Sequence, residues 1–182
     1  MEDAHLYLQD FNNVPGQGYF AVFDGHAGKF AAEWCRDNMN RILSEELNVC
    51  PHMDVREVMR NAFLKADEQL EAESRSAGVR SGCTAVTSLI RLESDDSDQN
   101  KSRRRVLYTA NVGDARSVLW YVDTSVCRLQ LLTMNASRGG KAIRLTYDHK
   151  GSDEFESKRI TEKGGFLLNN RVNGACKLCC LL

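Results

Sequence analysis

Apolar and polar positions fall into blocks whose period changes along the chain. Met1 to Leu8 alternates loosely, with His5 and Tyr7 set against Leu6 and Leu8, which predicts a short strand carrying Glu2 and Asp3 at its start. Asn12-Asn13-Val14-Pro15-Gly16 is a turn by composition. The run Tyr19-Phe20-Ala21-Val22-Phe23 after Gly18 is apolar or aromatic throughout. It reads as a strand buried on both faces and ends abruptly at Asp24.

The period then becomes helical. Phe30, Trp34, Met39, Ile42 and Leu43 share one face of a helix predicted from about Gly28 to Leu47, and Cys50-Pro51-His52 breaks it. A second helix is predicted from Asp54 to Ser74. Val55, Val58, Met59, Ala62, Phe63, Ala66 and Leu70 recur at helical spacing, and Asp54 is placed to cap the N-terminus. Met59 and Phe63 therefore read as core, and His52 as a solvated loop residue.

Ser81-Gly82-Cys83-Thr84 introduces a strand running through Ile90 and Leu92, rich in β-branched residues. Glu93 to Arg105 is polar, acidic first and basic after, and reads as a solvated hairpin loop ahead of a patch for acidic partners. Val106 to Val112 and Ser117 to Tyr121 are predicted to be strands of a hairpin turning at Gly113-Asp114. Further on lie a strand from Ala142 to Thr146 and a helix from Ser152 to Lys163 ended by Gly164-Gly165. A hairpin of Phe166 to Leu168 and Arg171 to Val172 turns at Asn169-Asn170.

The chemistry concentrates at Asp24-Gly25-His26. A carboxylate stands where a core strand meets solvent, a glycine leaves its carbonyl approachable, and an imidazole follows. Hard divalent cations such as Mg²⁺ and Mn²⁺ take carboxylate, carbonyl and water oxygens, and one carboxylate can bridge two ions that ready water to attack phosphorus. His26 is the candidate to protonate the leaving oxygen. The same three residues also suit an Asp-Gly turn followed by a surface histidine.

Composition narrows the partners. The 182 residues suit one domain, and 42% hydrophobic content is enough for a core. Charge is balanced at 24 basic against 25 acidic side chains, which gives no field to draw nucleic acid or an anionic membrane. No apolar run approaches the roughly 20 residues of a membrane span, and no basic-then-apolar leader opens the chain. The expectation is a soluble monomer, cytoplasmic or nuclear. Seven scattered cysteines do not form a secreted disulfide framework and are expected to be mostly reduced. Cys176, Cys179 and Cys180 contain one C-x-x-C step, short of the about four ligands of a structural zinc site.

Tyr19 to Ala27 resembles the signature of the metal-dependent type 2C protein serine/threonine phosphatases. Further blocks resemble that family in the same order: Met1-Glu2-Asp3-Ala4-His5, Ser81-Gly82-Cys83-Thr84-Ala85, Thr109 to Arg116, Leu145 to Lys150 and Arg171-Val172-Asn173-Gly174. The resemblance implies an α+β fold, a β-sandwich of two antiparallel sheets flanked by helices in α/β/β/α layers, here incomplete at the C-terminus. It implies two Mg²⁺ or Mn²⁺ ions and a further, weaker one, with phosphorylated serine/threonine proteins as substrates. By the same resemblance Asp24 bridges the ions, Gly25 lends its carbonyl, Glu2 and Asp3 support them, Asp148 serves the accessory ion, and Asp114 has a possible supporting place. Catalysis is expected of Asp24 and His26.

The family pattern also lapses in places. Residues 122–140 are expected to be an insertion, either translated intron sequence or a surface loop, and residues 175–182 a tail outside the pattern. Family members carry an Arg before the acidic pair and two further metal-binding aspartates later, which this sequence lacks, so weak phosphatase activity or none is expected. The competing expectations are a non-catalytic, phosphatase-like binding module and a zinc-binding protein using the cysteine-rich tail.

Overall fold

A computed structural model describes residues 1–94, 103–122, 134–135, 140–162, 164–168 and 171–172. Strand β1 (Ala4–Gln9) leads through a 3-10 turn at Phe11–Asn13 into β2 (Gly18–Phe23) and the two-residue β3 (Gly25–His26). Helices α1 (Phe30–Val49) and α2 (Val55–Ala77) follow, then β4 (Gly82–Cys83), β5 (Ala85–Ser94), β6 (Arg103–Val112) and β7 (Val118–Val122). After β8 (Met134–Asn135) and β9 (Gly140–Arg144) come α3 (Glu154–Glu162), β10 (Leu167–Leu168) and β11 (Arg171–Val172). The mixture of helices with antiparallel sheets is the expected α+β class.

The main sheet has four strands in the order β1-β2-β5-β6, all antiparallel. Its register selects one face for the core. Ala4, Leu6 and Leu8 pair with Phe23, Ala21 and Tyr19, and Tyr19 pairs in turn with Leu89. Against that face pack α1 and α2, whose Met39, Ile42, Val58 and Leu70 are fully buried along with Tyr19, Phe23 and Leu89. Each such side chain contributes roughly 1.5–3 kcal/mol on removal from water, so this helix-on-sheet layer dominates the stability of the described residues.

Strand β2 is not buried on both faces. Phe20 and Val22 are 40% and 48% exposed, and Tyr7, opposite Phe20, is 59% exposed with its ring stacked on Phe20 at 5.2 Å. The period of two therefore holds in β2, concealed in the sequence because both of its faces are apolar. Ser88, on this second face, lies 3.1 Å from Thr109 and 3.4 Å from Ser117 through hydroxyl oxygens, and Ser117 leads into β7.

The expected hairpin at Gly113-Asp114 is also corrected. Strand β6 pairs with β5 over ten residues of each, whereas β7 pairs with β9 in a three-stranded sheet ordered β7-β9-β8. Gly113-Asp114 is a passage between sheets. Strand β6 starts at Arg103, ahead of the expected Val106, because the cross-strand partners Leu92, Glu93 and Ser94 continue the ladder. Strands β10 and β11 pair as expected. Most of the expected insertion, and the cysteines at 176, 179 and 180, lie outside the described residues.

Helix α2 begins and ends as its sequence dictates. The Asp54 carboxylate accepts the backbone N–H of Arg56 at 2.8 Å, and Gly78 at φ 68° closes α2 in the left-handed conformation. Among the described residues, no helix is long and apolar enough to cross a membrane.

Candidate functional site

The site forms where β2 ends. The backbone of Asp24 is fixed by Thr84, whose N–H donates to the Asp24 carbonyl at 2.9 Å, and β3 then pairs with β4 through Gly25–Cys83 and His26–Gly82. Pinning the main chain on this side leaves the Asp24 side chain exposed to solvent at the sheet end. The β1–β2 register, continued by one and two residues, sets Asp3 opposite Asp24 and Glu2 opposite Gly25. The approach at Gly25 is tight enough that a Cβ there would lie 2.2 Å from the Glu2 carbonyl oxygen.

Helix α1 begins just past this point. Ala27 and Gly28 turn the chain with φ of 57° and 119°, and Ser81 Oγ accepts the Ala31 N–H at 3.1 Å. The capping hydroxyl therefore comes from the segment before β4, because the residue at the helix's own N-cap, Lys29, offers none. Beneath the turn, the thiols of Cys35 on α1 and Cys83 on β4 lie 3.7 Å apart, both buried and free. The hydrogen bond with Cys83, then burial, pushes the pKa of the Cys35 thiol well up and keeps it protonated.

Asp114 comes near the same place from the end of β6. Gly113 takes a φ of 82°, and a Cβ on it would meet Thr84 Cγ2 at 2.7 Å, so the chain leaving β6 passes directly over the residue that anchors Asp24. The result is a concentration of negative charge. Asp24 is raised above the ordinary carboxyl value, first by desolvation among the strand ends, then by the charges of Asp3 and Asp114; His26 acts in the opposite direction, and a hydrogen bond with Asp3 adds to the rise.

Asp148 stands differently. Its side chain is only 11% exposed, and Arg116 Nε lies 2.9 Å from each of its oxygens while Arg116 Nη2 is 2.6 Å from Oδ2; Arg144 binds Oδ1 as well. The Arg116 hydrogen bond, with Arg144 and Lys150 nearby, holds its carboxyl below the usual range. The loop is seated by the Asn111 side-chain amide donating to the Tyr147 carbonyl at 2.7 Å and the His149 N–H donating to the Gly113 carbonyl at 2.9 Å. Lys150 Nζ lies 3.5 Å from Asp114 Oδ2 and 3.9 Å from Asp148 Oδ2, linking the two carboxylates.

The structure thus brings Glu2, Asp3, Asp24, Gly25 and His26 to one sheet end and adds Asp114, which sequence reasoning had treated first as a turn residue. The family resemblance had already given Asp114 a supporting place, and like Asp24 it is a carboxylate where a core strand exits. Mutually repelling carboxylates suit a hard divalent cation in charge and donor type. Among the described residues, however, no three His, Cys, Asp or Glu side chains converge tightly enough to hold an ion unaided.

Comparison with known proteins identifies the family. Residues 1–179 match the family described as protein phosphatase 2C. The chain is 41% identical over 179 residues to protein phosphatase 2C homolog 1 of Saccharomyces cerevisiae, covering 96% of this chain and 57% of the yeast protein. It is 40% identical to protein phosphatase 2C homolog 1 of Schizosaccharomyces pombe, covering 96% of this chain and 43% of that protein. The chain therefore spans about half the length of these relatives. Its fold is similar to that of the serine-threonine phosphatase 2C from Toxoplasma gondii, with a TM-score of 0.64 at 21% identity over 94% of this chain and 54% of the other. A Caenorhabditis elegans sex determining protein superposes with a TM-score of 0.65 at 24% identity, over 97% of this chain and 39% of that one.

Proposed function

The chain belongs to the protein phosphatase 2C family, and on that premise we propose that it carries the acidic strand end of a metal-dependent protein serine/threonine phosphatase. The observation that supports the reading is the convergence of Asp24 with Asp3 and Asp114, which leaves negative charge for a cation to neutralise. The substrates would be phosphoserine and phosphothreonine proteins, and the ions Mg²⁺ or Mn²⁺. When bound, such ions supply Lewis acidity, lowering the proton affinity of water and offsetting phosphate charge.

The residues then divide the remaining work. Asp24 and the Gly25 carbonyl hold the ions, with Asp3 and Glu2 in support from the neighbouring strand. His26, adjacent on β3, holds a proton on its imidazole for the leaving serine or threonine oxygen. The family resemblance assigned the accessory position to Asp148. Arg116 and Arg144 already occupy both Asp148 oxygens, so we assign that position to Asp114, with Asp148 ordering the loop that carries Lys150.

Because no three acidic, His or Cys side chains converge on one point among the described residues, weak cation binding and slow turnover of phosphopeptide are the expectation. The test is Mn²⁺-dependent phosphate release from a phosphothreonine peptide, with Asp24→Ala as control. Weak release that Asp24→Ala abolishes is the expected result; release indifferent to Mn²⁺ and to Asp24→Ala would overturn the assignment.

A further inference from the structure

We propose that Lys150 is the resident countercharge of the acidic centre and limits how tightly that centre takes a divalent cation. The inference rests on the reading of Asp24, Asp3 and Asp114 as cation-binding. Lys150 Nζ stands between Asp114 Oδ2 at 3.5 Å and Asp148 Oδ2 at 3.9 Å. Asp148 is already neutralised, since the two guanidinium groups of Arg116 and Arg144 engage both its oxygens. The lysine charge is surplus there. Asp114, the nearer partner, is one of the two carboxylates, with Asp3, whose charge acts on Asp24, and it forms an ion pair with Lys150.

The ammonium is placed there by the fold. The Asn111 amide and the Gly113 carbonyl, at the end of the strand that delivers Asp114, fix the backbone of Tyr147 and His149, and the Asp153 N–H donates to the Lys150 carbonyl at 2.9 Å. Lysine and aspartate are thus carried on one seated unit. A dication arriving at Asp24 and Asp114 either displaces the ammonium from Asp114 or binds beside a like charge, and both weaken its binding. Lys150 and Asp114 are 45% and 49% exposed, so solvent screens the interaction and the effect is modest, about two- to tenfold in affinity.

The experiment is titration of the full chain with Mn²⁺, reading the free ion by its electron paramagnetic resonance signal, which requires no turnover. Lys150→Gln is expected to bind Mn²⁺ about two- to tenfold more tightly than the unaltered chain, Lys150→Glu more tightly still, and Lys150→Arg about equally. The gain should shrink in about 0.5 M KCl, where the screening length falls well below that in dilute salt. Unchanged or weaker binding by both the Gln and Glu variants, with the unaltered chain binding Mn²⁺, would overturn the role of Lys150 and leave the acidic centre standing. Failure of the unaltered chain and all three variants to take up millimolar Mn²⁺ would overturn both.

Discussion

Gly25 lies against the main chain of Glu2 so closely that a Cβ would sit 2.2 Å from the Glu2 carbonyl oxygen and 3.0 Å from its carbonyl carbon. The obstacle is backbone on both sides, so neither partner can swing away. Gly25→Ala is expected to push the start of β1 off β3 and to lower stability by about 1–3 kcal/mol, the usual penalty of forced overpacking. Thermal unfolding measures it, and an unchanged midpoint would show that the two segments do not approach as described.

Asp24 is a carboxyl raised by desolvation and by its acidic neighbours Asp3 and Asp114, which fixes the sign of its contribution to stability. A folded-state pKa above the unfolded value means that this group favours the fold at low pH and opposes it once pH rises through the folded pKa. Without divalent cations, Asp24→Asn is therefore expected to raise the unfolding midpoint at pH 7 and to leave it unchanged at pH 3. Mn²⁺ should raise the midpoint of the unaltered chain and not that of the variant. A lower midpoint for Asp24→Asn at pH 7 would contradict the crowding of charge.

Asp148 has the opposite sign. Hydrogen bonds from Arg116 hold its carboxyl below the ordinary 3.8, so its stabilisation is present above that value and is lost as pH falls through the lower, folded one. The double change Arg116→Met with Arg144→Met strands a carboxylate whose side chain is only 11% exposed. A modest loss of stability at pH 7 is expected, because both arginines are well solvated. The difference from the unaltered chain should shrink as pH falls below 3.8 toward the lower, folded-state value. Denaturant unfolding at pH 7 and pH 2.5 checks both statements.

Ser81 offers a cleaner test of helix entry. Its hydroxyl accepts the Ala31 N–H at 3.1 Å in a buried setting, standing in for the absent cap at Lys29. Ser81→Ala should cost about 1 kcal/mol, and amide exchange at Ala31 should speed up. Equal exchange in both proteins would mean that the N–H has another acceptor.

These results show which features a sequence exposes. The helical faces of Phe30 to Leu43 and Val55 to Leu70 are written at short range, in spacings of three and four, and the structure buries most of them. Asp24-Gly25 was legible because an apolar run stops there. The two faces of β2 were not, since Phe20 and Val22 are as apolar as Tyr19 and Phe23, and only the helices decide which face they cover. Gly113-Asp114 misled for a related reason: a Gly-Asp pair suits a hairpin and a passage between sheets equally, and the choice depends on β9, far along the chain. Asp148 shows the limit for chemistry, because its state is set by Arg116, 32 residues away.

The second face of the main sheet has a colloidal consequence. Tyr7, Phe20 and Val22 form a greasy strip against water, and every square ångström that another surface takes from it returns about 25 cal/mol. Handling of the polypeptide should therefore be governed by adsorption, with strong retention on phenyl resins and release by ethylene glycol, long before unfolding contributes.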